Sequence, residues 1–290
     1  MEVNGSLTSL LILTNDGEEV ADGFETEFDE VVVRSLADAN VMAGGDDPAA
    51  QALIDGVDIR EYDALYIDPQ PQTTIYAKVF LEVAQDLRIP CNLDPTTLAI
   101  IAKKFYLFKV LRERDVSIPS TVTVSTEKGL SDIEADLAFP VVAEKFEGFE
   151  KIDTEKLDDP DGLKSFAEHS EHGNHLIMAH DFVEGEVYDT LYIDGELISL
   201  KLGGEEWRKS LDDGASKNFH NLSSEKQELV HDAVDAIGAR LCRVRIVDDQ
   251  IVKVSASPRL DVFQDISGKD VYGLVADMLQ EDETTEVTDA

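Results

Sequence analysis

Residues 244–258 read Val244-Arg245-Ile246-Val247-Asp248-Asp249-Gln250-Ile251-Val252-Lys253-Val254-Ser255-Ala256-Ser257-Pro258. Two short β-branched runs, 244–247 and 251–254, flank an Asp-Asp-Gln turn, which is the pattern of a β-hairpin. Immediately upstream, 223–242 carries apolar residues at helical spacing, opened by Ser224 with Gln227 three residues on as a capping box. Downstream, a last helix is predicted over 270–279, followed by an acidic run, 281–290, that reads as a frayed, solvated terminus. Further upstream lies a β-rich tract with runs at 121–124, 139–145, 175–182, 187–193 and 197–202; Asp194-Gly195, between the last two, marks a second hairpin.

Before that tract the pattern is helical. Asp94 is placed to cap a helix starting at Pro95, and Leu98, Ile101, Phe105, Phe108 and Leu111 share one face until Ser117-Ile118-Pro119 stops it. The first third alternates strands at 10–14, 30–34, 64–68 and around 89–92 with a helix at 75–87, which predicts a small parallel sheet wrapped by helices. The predicted order is an α/β domain (1–92), a bridging helix (93–119), a β-rich small lobe (120–185), a mixed α+β large lobe (186–280) and a disordered acidic tail (281–290).

The 290 residues include 61 Asp or Glu and 25 Lys or Arg, a formal net charge of -36. Nucleic acids and anionic membrane surfaces are bound largely through Lys and Arg, so neither partner suits this chain. Hydrophobic residues make up 43%, which is enough for packed cores and argues against disorder. The acids are spread along the whole length; such a surface repels itself in dilute buffer and is screened at molar salt, where the Debye length is about 3 Å. The composition is therefore read as a salt-adapted, halophilic surface. Cys91 and Cys242 are expected to be buried free thiols. With no apolar run near about 18 residues and no basic-then-apolar start, the expectation is a soluble, cytoplasmic protein. Gly173-Asn174 interrupts His169, His172 and His175, so that cluster reads as a polar loop and no metal ligands are assigned. Asp159-Pro160-Asp161-Gly162 reads as a turn.

Several landmarks recur in one order: Asn92-Leu93-Asp94-Pro95, Lys103-Lys104, Ile118-Pro119-Ser120-Thr121, Phe139-Pro140-Val141-Val142, His180-Asp181-Phe182-Val183, Glu206-Trp207-Arg208 with Gly214, residues 252–258, and Gly268-Lys269-Asp270-Val271. Together they resemble the ATP-grasp superfamily, and within it the RimK-like and glutathione-synthetase-like carboxylate-amine ligases. The resemblance implies an α/β plus α+β protein: an ATP-grasp fold behind an N-terminal Rossmann-like (pre-ATP-grasp) domain. It implies ATP as ligand, an amino acid or acidic metabolite as its companion, and a homodimer. In that family ATP converts a carboxylate to an acyl phosphate, from which an amine displaces phosphate. Carried over residue by residue, the nucleotide contacts fall on Lys104 (Lys103 if the register slips), Lys145, Asp181, Phe182 and Val183, and a substrate or phosphate contact on Arg208.

The match departs from the family at the metal. Mg²⁺ demands hard oxygen ligands, and the family's metal positions here read Arg245, Lys253 and Ser255, which makes Mg²⁺ doubtful. Two readings of Arg245 and Lys253 stand: pairing with nearby acids such as Asp248 and Asp249, or a fixed cationic site that binds an anion in place of metal. The small-lobe loop Glu147-Gly148-Phe149-Glu150-Lys151 keeps one glycine. Strict spacing from Pro140 puts Glu144, not Lys145, on the cleft face of its strand unless a bulge intervenes. The family's substrate-facing arginine falls on Asp189, and an asparagine falls on Ser210. Two functions follow from the resemblance: a nucleotide- or acidic-metabolite-binding protein with lost or altered Mg-dependent catalysis, or an active ATP-dependent ligase joining an amino acid to a carboxylate.

Overall fold

The computed structural model describes residues 8–14, 19–42, 51–70, 73–125, 129–147, 150–168, 176–211 and 215–284. Strands β1 (Ser9–Leu13), β2 (Glu30–Arg34) and β6 (Ala64–Ile67) form a parallel sheet in the order β2-β1-β6. Successive side chains of a strand point to opposite faces, and β1 feeds two cores in this way. Leu11 and Leu13 pack on helix α2 (Thr74–Asp86), while Leu10 and Ile12 join a core that includes Phe263 and Tyr272 near the C-terminus. The N-terminal sheet is thus welded to the C-terminal helices α8 (Leu260–Ser267) and α9 (Val271–Thr284). Helix α1 (Glu19–Phe24) comes so close to Tyr272 that a Cβ on Gly23 would lie 2.3 Å from its ring.

Strands β3 (Ala39–Met42), β4 (Gln51–Ile54) and β5 (Val57–Asp58) make a small antiparallel sheet absent from the sequence expectation. The strand expected around 89–92 reduces to a bridge between Leu65 and Cys91. The expected single bridging helix is two, α3 (Pro95–Ile101) and α4 (Lys104–Glu113), broken where Lys103 leaves helical geometry at φ -126 and ψ 95. Asp94 caps α3 as expected, accepting from the Thr96 and Thr97 amides.

Beyond α4, strands β7 (Thr121–Val124), β8 (Val141–Glu147), β9 (Glu150–Leu157) and β10 (Leu176–Asp181) form an antiparallel sheet, order β7-β10-β8-β9. Helices α5 (Leu130–Asp136) and α6 (Pro160–Glu168) cover one face through Ile133, Leu163 and Phe166. The Asp159 to Gly162 turn is therefore a helix start, with Asp159 Oδ1 accepting from the Gly162 amide.

The third assembly is a five-stranded antiparallel sheet of β11 (Val187–Ile193), β12 (Glu196–Gly203), β13 (Ser216–Phe219), β14 (Leu241–Val247) and β15 (Gln250–Ser255), order β13-β12-β11-β14-β15. Both expected hairpins are present, β11–β12 through Asp194-Gly195 and β14–β15 through Asp248-Asp249. One face packs on α7 (Ser224–Ile237) and the bridging helices, the other on α8 and α9. The α7 cap is Ser223 rather than Ser224, accepting from the Lys226 amide, and α7 ends at Gly238 in left-handed geometry, so Leu241 and Cys242 belong to β14. Helix α9 runs to Thr284, into the stretch expected to be tail; 285–290, the histidine cluster, Gly148 and Gly214 lie outside the described residues. Both cysteines are free thiols; Cys242 is buried, which pushes its pKa up to about 12, and Cys91 is half-buried. Among the described residues no helix is long and apolar enough to cross a membrane.

Candidate functional site

A cleft of about 410 Å³ opens between the uncovered face of the small-lobe sheet and the end of the five-stranded sheet. Period-2 alternation of β8 decides what faces it: Val142, Glu144 and Phe146 line the cleft, whereas Val141 and Ala143 pack toward α5 and α6. Lys145 follows the second set. It is 2% exposed, donates to the Phe166 carbonyl oxygen and lies 4.5 Å from the Phe166 ring centroid. The register irregularity in β8–β9 falls after Lys145, too late to turn it around. The placement of Lys145 as a nucleotide contact is thus corrected: Glu144 holds the cleft position.

Glu144 is bracketed by two cations. Its Oε2 is 3.0 Å from Lys104 Nζ and its Oε1 is 3.2 Å from Lys151 Nζ. Burial would raise the carboxyl, but these two ammonium groups overcome it and hold its pKa down at about 2. Lys104 reaches this point because the helix break at Lys103 makes it the first residue of α4 and swings it over the cleft. Its ammonium also meets His180 Nε2 at 3.1 Å, while His180 Nδ1 lies 3.0 Å from the Asp181 carbonyl oxygen. Burial first, and then Lys104, push the His180 pKa down to about 3, so the ring is neutral. With Nδ1 donating to that carbonyl, Nε2 accepts from the lysine. Burial also lowers the Lys104 pKa, offset by Glu144.

Phe182 and Val183 line the cleft, and Lys156 sits 4.0 Å from the Phe182 ring centroid. Asp181 does not line it; the Asp181 carboxylate accepts from the Ala138 amide. Lys103 stays outside as well. Trp207, Arg208, Lys209 and Ser210 form the rim, with Trp207 38% exposed.

The large-lobe wall carries three residues in one cross-strand row: Asp189 on β11 is opposite Arg245 on β14, which is opposite Lys253 on β15. Arg245 forks onto Asp189, with both N···O distances 2.7 Å. Of the two sequence readings, pairing with an acid holds for Arg245, through Asp189 rather than Asp248 or Asp249; the latter instead pairs with Lys226. Lys253 differs. Among the described residues no hydrogen bond or ion pair reaches it, and its ammonium remains open to the cleft. Desolvation by the walls, then Arg243, Arg245 and Lys151, bring its pKa down to about 8, with only Asp189 acting the other way.

The cleft lining therefore holds Lys104, Lys151, Arg208, Lys209, Arg245 and Lys253 against one carboxylate, Glu144. In a chain with 61 acids and 25 bases this is a local inversion of charge. A wider hollow of about 900 Å³, lined by Tyr62, Arg88, Asn92 and Arg240, lacks that signature: Asp63 and Asp94 share its lining, and Arg240 is engaged with Asp194. A divalent cation does not fit the cleft wall, where Arg245, Lys253 and Ser255 offer two cations and a hydroxyl, and Asp189 is already held by a guanidinium. Among the described residues no group of three His, Cys, Asp or Glu is arranged to hold a metal. Lys151 and Lys209 are cleft cations that sequence reasoning missed as site members; the signal for Lys151 was a lone lysine beside the glycine loop, and that for Lys209 its place next to Arg208.

No protein-family model matches the chain. Among curated proteins it is similar to the "Probable alpha-L-glutamate ligase" of Vibrio parahaemolyticus, 21% identical over 236 residues that cover 78% of each chain. It is similarly related to the protein of the same name from Aliivibrio fischeri, 23% identical over 246 residues, covering 80% of this chain and 81% of that one. Among solved structures, the RimK domain ATP-grasp protein of Sphaerobacter thermophilus superposes with a TM-score of 0.70 at 14% identity, covering 94% of this chain and 99% of that one. The D-alanine--D-alanine ligase of Bacillus anthracis complexed with ATP gives 0.65 at 16% identity, covering 96% and 97%. The ATP-grasp ligase PsnB complexed with a minimal precursor, Mg and ADP gives 0.69 at 15% identity, covering 94% and 96%. The chain has the ATP-grasp fold.

Proposed function

We propose that the cleft is a nucleotide site and that the chain is an ATP-grasp protein of the carboxylate-amine ligase type, with its Mg-dependent catalysis lost or altered. The observation that carries this is the concentration of cations between the two lobes of a strongly acidic protein. In this reading Lys104, Lys151, Arg245 and Lys253 neutralise the phosphates of ATP. The base lies against the apolar part of the lining, where Phe182, Val183, Leu107 and Val142 exclude water from it. Phosphoryl transfer depends on such charge neutralisation and positioning more than on covalent participation by the protein. Glu144 is the counter-ion that the phosphates would replace at Lys104 and Lys151, and His180 keeps the Lys104 ammonium aimed across the cleft. Arg208 and Lys209, on the rim, are placed to receive the carboxylate of an amino acid or acidic metabolite.

A second reading is favoured by the names of the relatives in Vibrio and Aliivibrio: an active ligase joining an amino acid to a carboxylate. There the carboxylate oxygen takes the γ-phosphoryl group and ADP leaves; the amine nitrogen then attacks the acyl carbon and phosphate departs. The two readings separate in one assay. With ATP, Mg²⁺ and a panel of amino acids in concentrated KCl, the first predicts bound ATP without sustained ADP release. Steady ADP release that depends on one amino acid and is lost in Lys104→Met would establish the second. A chain that binds no ATP would contradict both.

A further inference from the structure

The cleft cations differ in what neutralises them. Lys104 and Lys151 share Glu144, and Arg245 is matched by Asp189. Arg208, Lys209 and Lys253 have no acid within ion-pair distance among the described residues, although acids outnumber bases by 61 to 25 in the chain.

From the Asp189, Arg245, Lys253 row, in which Arg245 holds the carboxylate and Lys253 has no acid partner among the described residues, we infer that the cleft takes its triphosphate without a divalent cation, and that Mg²⁺ weakens the binding instead of assisting it. The inference rests on the nucleotide reading above and deepens it. Lys253 stands on β15 directly opposite Arg245 on β14, so a divalent ion at this wall would meet two cations, and the carboxylate of the row, Asp189, is already held by Arg245. Like charges brought together in a cleft of reduced dielectric repel. The Arg245 guanidinium cannot swing away, because both of its forked contacts hold it to Asp189. Lys253 has no protein acid to exchange among the described residues, so the arriving phosphate is its first counter-ion.

The test is calorimetric titration of the full chain with ATP at constant ionic strength, once with EDTA and once with saturating Mg²⁺, repeated on Lys253→Met. That variant removes a side chain with no bonded partner and is expected to fold. The expected result is binding about tenfold tighter with EDTA than with Mg²⁺, and a ratio near one in Lys253→Met, mainly through weaker binding of metal-free ATP. Binding that is equal in both conditions, or tighter with Mg²⁺, would overturn the inference while leaving the nucleotide reading in place. Absence of binding in both conditions would overturn the two together.

Discussion

Arg245 lies fork-on to Asp189, Nε to Oδ1 and Nη2 to Oδ2 at 2.7 Å each, with the Asp189 side chain 1% exposed and that of Arg245 14% exposed. A carboxylate stands on the strand where the family resemblance expects an arginine, and an arginine stands on the neighbouring strand where it expects a carboxylate. Breaking one side of a buried pair leaves an uncompensated charge, which costs about 3–5 kcal/mol. Arg245→Met should therefore lower stability by that order in denaturant unfolding, and Asp189→Asn combined with Arg245→Met should recover most of it. Equal losses in the single and double variants would contradict the pairing.

Glu144 offers a contrast, because its charge competes with the proposed ligand. Its lowered pKa means that it contributes stability above the ordinary value of 4.5, and that this contribution is lost as pH falls through about 2. Glu144→Gln should flatten this part of the acid limb relative to the parent chain. The same change should tighten ATP binding by about tenfold, the order expected from removing one negative charge several ångström from the phosphates. Weaker ATP binding in Glu144→Gln would place the phosphates elsewhere.

The Lys253 pKa is brought down to about 8 in the fold against an ordinary value of 10.5, first by desolvation and then by Arg243 and Arg245 from β14 and Lys151 from β9, with Asp189 from β11 acting the other way. Below about pH 8 both folded and unfolded chains carry the charge, so its crowding cost is fully present; that cost is relieved between about pH 8 and 10.5 as the folded chain sheds the proton. Ligand affinity moves the other way. Metal-free ATP favours the ammonium, so its affinity should fall as pH rises through about 8, and Lys253→Arg should remove that step from a plot of log Kd against pH.

The net charge of -36 is a global property that the cleft does not share. Raising KCl from about 0.1 to about 2 M should lift the thermal midpoint by several degrees, because the repulsion among surface acids is screened. A midpoint that falls with salt would remove the salt-adapted reading of the surface.

Much of the fold was legible because its strands are short runs rich in β-branched and aromatic residues: 30–34 and 187–193 match observed strands, and the two Asp-containing turns close hairpins. What escaped was set by contacts distant in sequence. Strand β13 is exposed and polar, and β3–β5 are short, so neither shows a periodic apolar pattern. The break at Lys103 has no proline or glycine to announce it, yet it aims Lys104 at Glu144. For Glu144 and Lys145, strand parity from Pro140 pointed to the observed orientation, whereas likeness to the family's second lysine pointed to the wrong residue. The Asp189 partner of Arg245 was invisible because pairing between β11 and β14 joins residues 56 positions apart.

Trp207 is the single tryptophan of the chain, and it stands on the cleft rim beside Arg208. The most direct test of a nucleotide site is therefore its emission during titration with metal-free ATP. The account predicts a saturable change at one ATP per chain, reversed by displacing the nucleotide and weakened in both Lys104→Met and Lys253→Met. An emission that stays constant while calorimetry also records no heat of binding would contradict it.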